Sequence, residues 1–208
     1  IPLPPLPVQE EIVRILDNFT ELTTELSEKL TAELTARKKQ YEYYRDELLT
    51  FGDNVEWKTL GEVAIIKNGK TYKGFGEGNI PVYGSGGIMI YIDTFAYDKP
   101  TVLIPRKGSI DKLYYVDEPF WNVDTIFYTV IDEKAIKVKF LFYYLESQRL
   151  ERLNTAGGVP SLTQAVLKLV KIPIPSLSEQ ERIVSILDKF DALVNDISIG
   201  LPAEIEAR

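Results

Sequence analysis

Apolar residues recur every three to four positions from Val8 to Leu48, and neither proline nor glycine interrupts this stretch. Such spacing puts them on one narrow seam, which is typical of a long coiled-coil-forming helix. We predict this helix over residues 8–51, because Gly52 follows and favours a helix end. The seam consists of Ile12, Ile15, Phe19, Leu22, Leu26, Leu30 and Leu34.

The beginning of the chain is repeated near its end. Residues 1–37 and 172–208 are identical at 19 of 37 positions, at a constant offset and without a gap. The second copy predicts another helix, which starts at the capping box Ser178-x-x-Glu181 and is interrupted near Gly200 and Pro202. Two matching helices can cover each other's seams, either as an antiparallel pair or as two halves of a symmetric dimer.

The material between the repeats is glycine-rich, aromatic and β-branched, which predicts a domain of α+β class with a small irregular sheet and short helices. The chain then divides into a helical region 1–52, a domain 53–171 and a second helical region 172–208. Short strands are predicted at Val63–Lys67, Pro81–Tyr83, Ile88–Ile92, Thr101–Ile104, Leu113–Val116 and Thr125–Ile131. Helices are predicted at Val138–Leu153 and Thr163–Val170, with a glycine loop at 157–160 between them.

Composition removes several classes of function. The chain contains no cysteine and no histidine, which excludes disulfides, thiol catalysis, Cys/His zinc sites and histidine-based triads. No stretch approaches the roughly 20 apolar residues of a membrane-spanning helix, and a lack of cysteine is typical of the cytoplasm. The net charge is −7, but residues 55–171 carry 15 basic against 13 acidic side chains, so the acid lies on the helical regions.

Two glycine-rich motifs resemble cofactor-binding loops in sequence. The segment 64–71 ends in Gly-Lys-Thr like a phosphate-binding loop, but the glycines up to Gly78 and then Pro81 cannot form the helix such a loop requires. The run 84–87 likewise lacks the strand–loop–helix context of a dinucleotide loop. No catalytic carboxylate cluster and no adenine-methylation motif occurs, so we predict no catalytic residue and no metal ligand.

Two loops combine basic residues with glycine, tyrosine and serine, which suits contacts to nucleic acid. The basic side chains are candidates for phosphate contacts, and Tyr72, Tyr83 and Ser85 are candidates near base edges. The alternative is that these lysines are ordinary solvated surface residues. The candidate DNA-binding residues are Lys67, Lys70, Tyr72, Lys73, Tyr83, Ser85, Arg106, Lys107, Ser109 and Lys112.

The repeated element Ile-Pro-x-Pro-x-Leu-x-x-Gln-Glu-x-Ile-Val-x-Ile-Leu-Asp-x-Phe resembles the conserved region of the specificity subunit of type I restriction–modification enzymes. Residues 38–46 and 203–208 share this resemblance. Residues 57–63 and 157–162 are similar to the opening and a late loop of that family's target-recognition domain. The resemblance implies a non-catalytic subunit that reads half of a bipartite DNA site and docks modification subunits through its helices.

The resemblance also implies where cofactors bind. S-adenosylmethionine is expected on modification subunits, ATP and magnesium on restriction subunits, and none of them on this chain. With one recognition domain instead of two, the chain resembles the second half of a specificity subunit, or a half-subunit that works as a homodimer. The alternative is a coiled-coil scaffold whose inserted domain binds protein, which would show no salt-dependent DNA affinity.

Overall fold

A computed structural model describes residues 3–154, 158 and 160–195. The chain forms two compact units. The helical unit comprises Ile1–Tyr44 and Ile186–Arg208, and the sheet unit comprises Arg45–Ser185. The α+β class and the long first helix are confirmed, and the division between the units falls inside the first and last helices. None of the helices in the described ranges is long and apolar enough to cross a membrane.

The elements of the described residues follow in chain order: α1 (Leu6–Leu48), β1 (Glu56–Thr59), α2 (Leu60–Val63), β2 (Ala64–Asn68), β3 (Glu77–Gly84), β4 (Gly87–Ile92), β5 (Thr101–Pro105), β6 (Tyr114–Val116), β7 (Trp121–Asn122), β8 (Ile126–Ile131), α3 (Val138–Ser147), a 3₁₀ turn (Leu150–Leu153), α4 (Gln164–Lys168), β9 (Lys171–Ile174) and α5 (Leu177–Asn195).

Helix α1 begins two residues before the prediction and ends three residues before it. Its start is fixed by the Pro5 carbonyl, which accepts hydrogen bonds from the amides of Val8 at 2.9 Å and Gln9 at 3.2 Å. Proline suits the first turn, where no amide hydrogen is needed. The seam residues in the first half of α1 are exposed, whereas Leu26, Leu30 and Leu34 are half-buried.

Helix α5 begins at Leu177 and is capped by Ser176, so the predicted capping box Ser178-x-x-Glu181 is wrong. The Ser176 hydroxyl accepts the Glu179 amide at 3.3 Å. Ser178 therefore lies in the first turn, and Glu181 pairs with Lys137 at 2.7 Å instead of closing a box. The predicted interruption near Gly200 and Pro202 lies outside the described residues, as does part of the predicted loop 157–160.

The strands of the described residues form three small sheets, not one. Four antiparallel strands pair in the order β2-β8-β5-β6, three pair in the order β4-β3-β7, and β1 pairs with β9. All six predicted strands are present. Strands β1, β7 and β9 were not predicted, because each is short and β9 contains Pro173, which normally argues against a strand.

The core of the sheet unit lies on the four-stranded sheet. Its largest fully buried side chains include Phe120, Phe127 and Phe140. Between β5 and β8, the buried Thr101 hydroxyl donates to the Thr129 carbonyl at 2.7 Å, and the buried Thr129 hydroxyl donates to the Val102 carbonyl at 3.0 Å. This threonine pair extends the β5–β8 pairing past its last ladder residues.

The helix predicted over Val138–Leu153 is broken in two. Arg149 adopts a left-handed conformation with φ of 50° between α3 and the 3₁₀ turn. A side chain other than glycine rarely takes this conformation, and it ends the α-helical ladder at Ser147. The predicted helix Thr163–Val170 is shorter as well, with Thr163 as the cap that accepts the Val166 amide at 3.3 Å.

Candidate nucleic-acid interface

Strand directions bring three separate loops to one end of the four-stranded sheet. Strands β2 and β5 both run antiparallel to β8, so they end where β8 begins. Three segments therefore meet at this end: the one after Asn68, the one after Pro105 and the one before Ile126. We call it the basic end, because these loops carry Lys70, the Arg106–Lys112 segment and their neighbours.

Lys70 is fixed to the segment that precedes β8. Its amide donates to the Asn122 carbonyl at 2.9 Å, and its carbonyl accepts the Trp121 indole N–H at 3.0 Å. Gly69 packs so closely that a β-carbon there would overlap the Val123 carbonyl. The backbone of Lys70 is therefore held rigidly while its side chain is exposed.

The same segment holds the second basic loop. The Thr125 carbonyl accepts the amides of Arg106 at 2.8 Å and Lys107 at 3.3 Å. The Thr125 hydroxyl accepts the Ser85 amide at 3.3 Å. Gly108, in the left-handed region at φ of 81°, turns the loop beside the Ser85 hydroxyl. Arg106 and Lys107 from one loop and Ser85 from another are thus gathered around Thr125.

A further loop, that of Leu162 and Gln164, joins this surface, and sequence reasoning missed it. The Leu162 amide donates to the Arg106 carbonyl at 2.9 Å. The Gln164 side-chain amide donates to the Asn68 side-chain oxygen at 3.2 Å. The second of these contacts connects residues 96 positions apart in the chain. Asn68 and Gln164 are polar groups at the basic end that no local motif indicates, because only the fold brings them together.

The opposite end of the sheet is acidic. There the chain leaves β8 and β6 and enters β2 and β5, and the exposed acids of these turns are Glu62, Asp98, Asp117, Glu118, Asp132 and Glu133. At the basic end the exposed acids are Asp111 and Asp124. The sheet unit therefore carries a charge gradient along its strands, and a polyanion would be attracted to one end and repelled by the other.

A family model described as the type I restriction modification DNA specificity domain matches residues 1–36 and 53–207 of this chain. The chain belongs to this family. A type I restriction enzyme specificity subunit of Escherichia coli is 40% identical, over 98% of this chain and 56% of that protein. A Mycoplasma pneumoniae protein named as a type I specificity subunit is 32% identical, over 99% of this chain and 86% of that protein. The chain thus spans little more than half of the Escherichia coli relative.

Solved structures agree with this specificity-domain fold. A chain from a study of complex assembly in the type I restriction–modification system is similar with a TM-score of 0.74 and 21% identity, over 100% of this chain and 58% of that one. The S subunit from M. genitalium gives a TM-score of 0.70 at 21% identity, over 91% of this chain and 55% of that one. The relatives are named as specificity subunits, in agreement with the expectation from the sequence.

Most predicted contact residues of this specificity domain lie on its surface. Lys67, Lys70, Lys73, Lys107 and Lys112 are exposed, and Tyr72, Ser85, Arg106 and Ser109 are half-buried. Lys112 and Ser109 share the loop of Arg106, where the Lys112 amide donates to the Ser109 carbonyl at 3.4 Å. The Tyr72 ring packs against the apolar cluster around Val82 and Trp121, so its role at the surface is limited to its edge.

Tyr83 does not belong to this surface, contrary to the sequence-based expectation. Its ring packs in the core with Leu103, Val116, Phe120 and Ile126. Burial raises the pKa of its phenol above the ordinary value. This burial removes Tyr83 from the candidate interface, because its side chain is already committed to the packing of the core.

The described part of the chain offers no site for a metal ion. No group of three or more acidic side chains among residues 3–154, 158 and 160–195 is arranged to hold one. The chemistry available at the basic end is therefore that of ammonium, guanidinium, hydroxyl and amide groups. Such groups bind phosphates and base edges.

Proposed function

We propose that this chain recognises a DNA sequence for a type I restriction–modification complex, with the basic end of its four-stranded sheet against the DNA. The observation that supports this most strongly is the convergence of Lys70, Arg106 and Lys107 on the segment Asn122–Thr125, opposite an acidic end. Duplex DNA carries a dense row of phosphates, and a rigid basic surface releases their counterions on binding.

The basic side chains are assigned to phosphates, where they fix the position of the domain without reading sequence. They are Lys67, Lys70, Lys73, Arg106, Lys107 and Lys112. Ser85, between the two basic loops, is the candidate nearest the bases. One sheet unit covers one stretch of duplex, so it reads one half of a bipartite site.

The chain's part in the complex is recognition without catalysis. Modification subunits dock through its helices and bring S-adenosylmethionine, while restriction subunits bring ATP and magnesium. The names of the relatives and the absence of histidine and cysteine support this assignment. The rival function, a scaffold whose sheet unit binds protein, predicts no affinity for DNA.

The decisive experiment neutralises two phosphate contacts in the complex assembled with modification subunits. Lys70→Ala with Lys107→Ala should lower affinity for every DNA sequence. The dependence of log K on log salt should flatten by about 0.9 for each contact, or about 1.8 for the pair. Fluorescence anisotropy from about 50 mM to about 200 mM salt measures both quantities.

The matched control removes two lysines from the acidic end. Lys99 and Lys134 are also exposed, so Lys99→Ala with Lys134→Ala changes the net charge equally. We expect the salt slope of this control to stay at the wild-type value. Equal losses in both double variants would assign the affinity to net charge and refute the basic end as the interface. A wild-type complex without DNA affinity would favour the scaffold.

We also propose that two copies pair through the seam of α1. The proposal is supported by a difference in solvent exposure between matching residues of the two repeat copies. Ile12 is 46% exposed, whereas its counterpart Ile183 is 1% exposed. Exposed apolar surface costs about 25 cal/mol per Å², so a second chain that covers the seam gains stability. A homodimer would present two identical sheet units to the DNA.

A further inference from the structure

The hairpin formed by β3 and β4 exposes apolar side chains on both faces. Strand β4 is an outer strand of its sheet, and four consecutive residues, Ile88, Met89, Ile90 and Tyr91, are exposed. A strand with one buried face would alternate between exposed and buried positions. Met89 is 58% exposed and Ile88 48%. Exposed apolar clusters of this kind mark binding sites.

The tip of this hairpin is anchored at the basic end. The Ser85 amide donates to the Thr125 hydroxyl at 3.3 Å, and the Ser85 carbonyl accepts the Tyr114 hydroxyl at 3.2 Å. Gly87, in the left-handed region at φ of 115°, makes the turn possible. The tip is therefore held from two sides, next to the loop of Arg106 and Lys107.

The Met89 side chain lies against Gly84, next to Val123. A β-carbon on Gly84 would come within 2.7 Å of the Met89 sulfur and 3.6 Å of a Val123 methyl group. Met89 thus crosses the bare backbone of Gly84 beside Val123, whose carbonyl packs against Gly69. Met89 therefore lies beside the segment Asn122–Thr125, to which the backbones of Lys70 and Ser85 are hydrogen-bonded.

Apart from Glu77 at the start of β3, the hairpin is also uncharged. Residues 78–92 include neither acidic nor basic side chains, although basic loops lie beside them. Such a ribbon adds nothing to phosphate binding. It does match the major groove, which admits a two-stranded β-ribbon and displays one apolar group on a base edge, the C5-methyl of thymine.

We propose that Ile88 and Met89 read A·T base pairs in the major groove by contact with thymine C5-methyl groups. The inference rests on the proposed DNA-recognition function and adds the hairpin as its specificity-determining element. The basic loops hold the flanking phosphates and the hairpin tip enters the groove between them. A half-site read in this way contains at least one thymine opposite the hairpin.

Uracil substitution tests the contact directly. The target sequence is identified by mapping methylated positions in the genome of cells that express the assembled complex. The half-site is then synthesised with thymine or with uracil, which lacks the methyl group. Burial of one methyl is worth about 0.8 kcal/mol, so each contacted uracil should weaken binding of the wild-type complex about fourfold. Ile88→Ser or Met89→Ser should weaken binding to the thymine duplex by a similar factor. At the base that the replaced residue contacts, the variant should bind the thymine and uracil duplexes with equal affinity.

The control variant is Ile65→Ser, an exposed isoleucine near the acidic end of β2, which should keep the full uracil response. Affinity for unrelated DNA and the salt slope should be unchanged in the hairpin variants. Three results would each overturn the proposal. The hairpin variants could lose affinity equally for target and unrelated DNA, they could keep the full loss of affinity on uracil substitution, or the half-site could contain no thymine. A wild-type complex that binds no DNA would overturn the proposed function as well, whereas the other results leave it standing.

Discussion

Gly69 shows how a single residue fixes the geometry of the basic end. A β-carbon at this position would overlap the Val123 carbonyl, a backbone atom that cannot move aside cheaply. We predict that Gly69→Ala destabilises the chain by about 1–3 kcal/mol, the usual cost of overpacking. It should also weaken DNA binding, because it displaces the backbone of Lys70. Urea unfolding gives the first quantity and anisotropy the second.

Gly86 provides the matched control for this substitution. A β-carbon there would meet nothing within 4 Å, and its φ is not positive. Gly86→Ala should therefore leave stability within about 0.5 kcal/mol of wild type. If both alanine variants unfold at the same urea concentration as the wild type, the close approach of Gly69 to Val123 has no energetic weight.

At the residue scale the sequence predicted the basic side chains but not their surroundings. Lys70 and Lys107 stand out in acid-free glycine loops, which is a local signal. Tyr83 carries the same local signal, yet its ring is buried, because β3 pairs with β7 and turns it toward Phe120. Gln164 and Asn68 give no local signal at all. Environment depends on pairings between distant residues, which one sequence does not reveal.

At the scale of elements, Gln180 locks the start of α5 to the sheet unit. Its side-chain oxygen accepts the Lys137 amide at 2.8 Å, and its side-chain amide donates to Pro175 at 2.9 Å and to Ala135 at 3.3 Å. Gln180 is fully buried. The three bonds satisfy backbone groups of the turn before α3 and of the segment between β9 and α5.

We predict that Gln180→Ala lowers the free energy of unfolding by about 1–3 kcal/mol, because it leaves buried backbone groups without partners. The repeat supplies the control. Gln9 is its counterpart and donates to the Pro4 carbonyl at 2.7 Å, but it lies at an exposed helix start. Gln9→Ala should change stability by less than about 0.5 kcal/mol. Equal effects of the two substitutions in urea unfolding would contradict the lock.

Helices and strands with a clear local sequence pattern were predicted. Strands that form only by pairing with a distant strand were not. The seam of α1 and the six predicted strands, which are short apolar runs separated by Gly, Asp and Pro, follow from local patterns. Strands β1 and β9 exist because each pairs with the other, at Trp57 opposite Pro173 and Lys58 opposite Ile172. The start of α5 was misplaced because Ser176 and Ser178 both precede acids by three residues, and only Ser176 has the cap contacts.

At the scale of the whole molecule, the exposed seam makes the dimer testable. The seam residues Phe19 and Leu22 are 65% and 62% exposed. We predict a dimer at micromolar concentration by light scattering. Phe19→Glu with Leu22→Glu should give a monomer, because two charges in a buried seam are costly.

The control for the dimer is Leu169→Glu, which changes an exposed leucine of the sheet unit and should leave the dimer intact. Such a dimer carries two identical sheet units, so we expect it to recognise a two-fold symmetric, interrupted site. A wild-type monomer at micromolar concentration would refute the pairing. So would a target with two unrelated halves in a cell with no other specificity chain.

The division into two helical regions with a domain between them was predictable, because the helical sequence occurs in both copies of the repeat. The charge gradient of the sheet unit was not. The sequence showed that residues 55–171 are mildly basic, but strand directions decide that Arg106 and Asp132 lie at opposite ends. A count of charges carries no information about where antiparallel strands turn.

The pairing of β1 with β9 has a consequence for inheritance. Glu56 lies opposite Ile174, so the part of the sheet unit that carries its strands, residues 56–174, begins and ends at neighbouring points. An insertion with adjacent ends can be exchanged without disturbing its surroundings. Recombination between two genes of this family, with crossovers in the codons of the flanking repeats, would therefore replace one intact reader by another, and a bacterial lineage could acquire a new target sequence in one event.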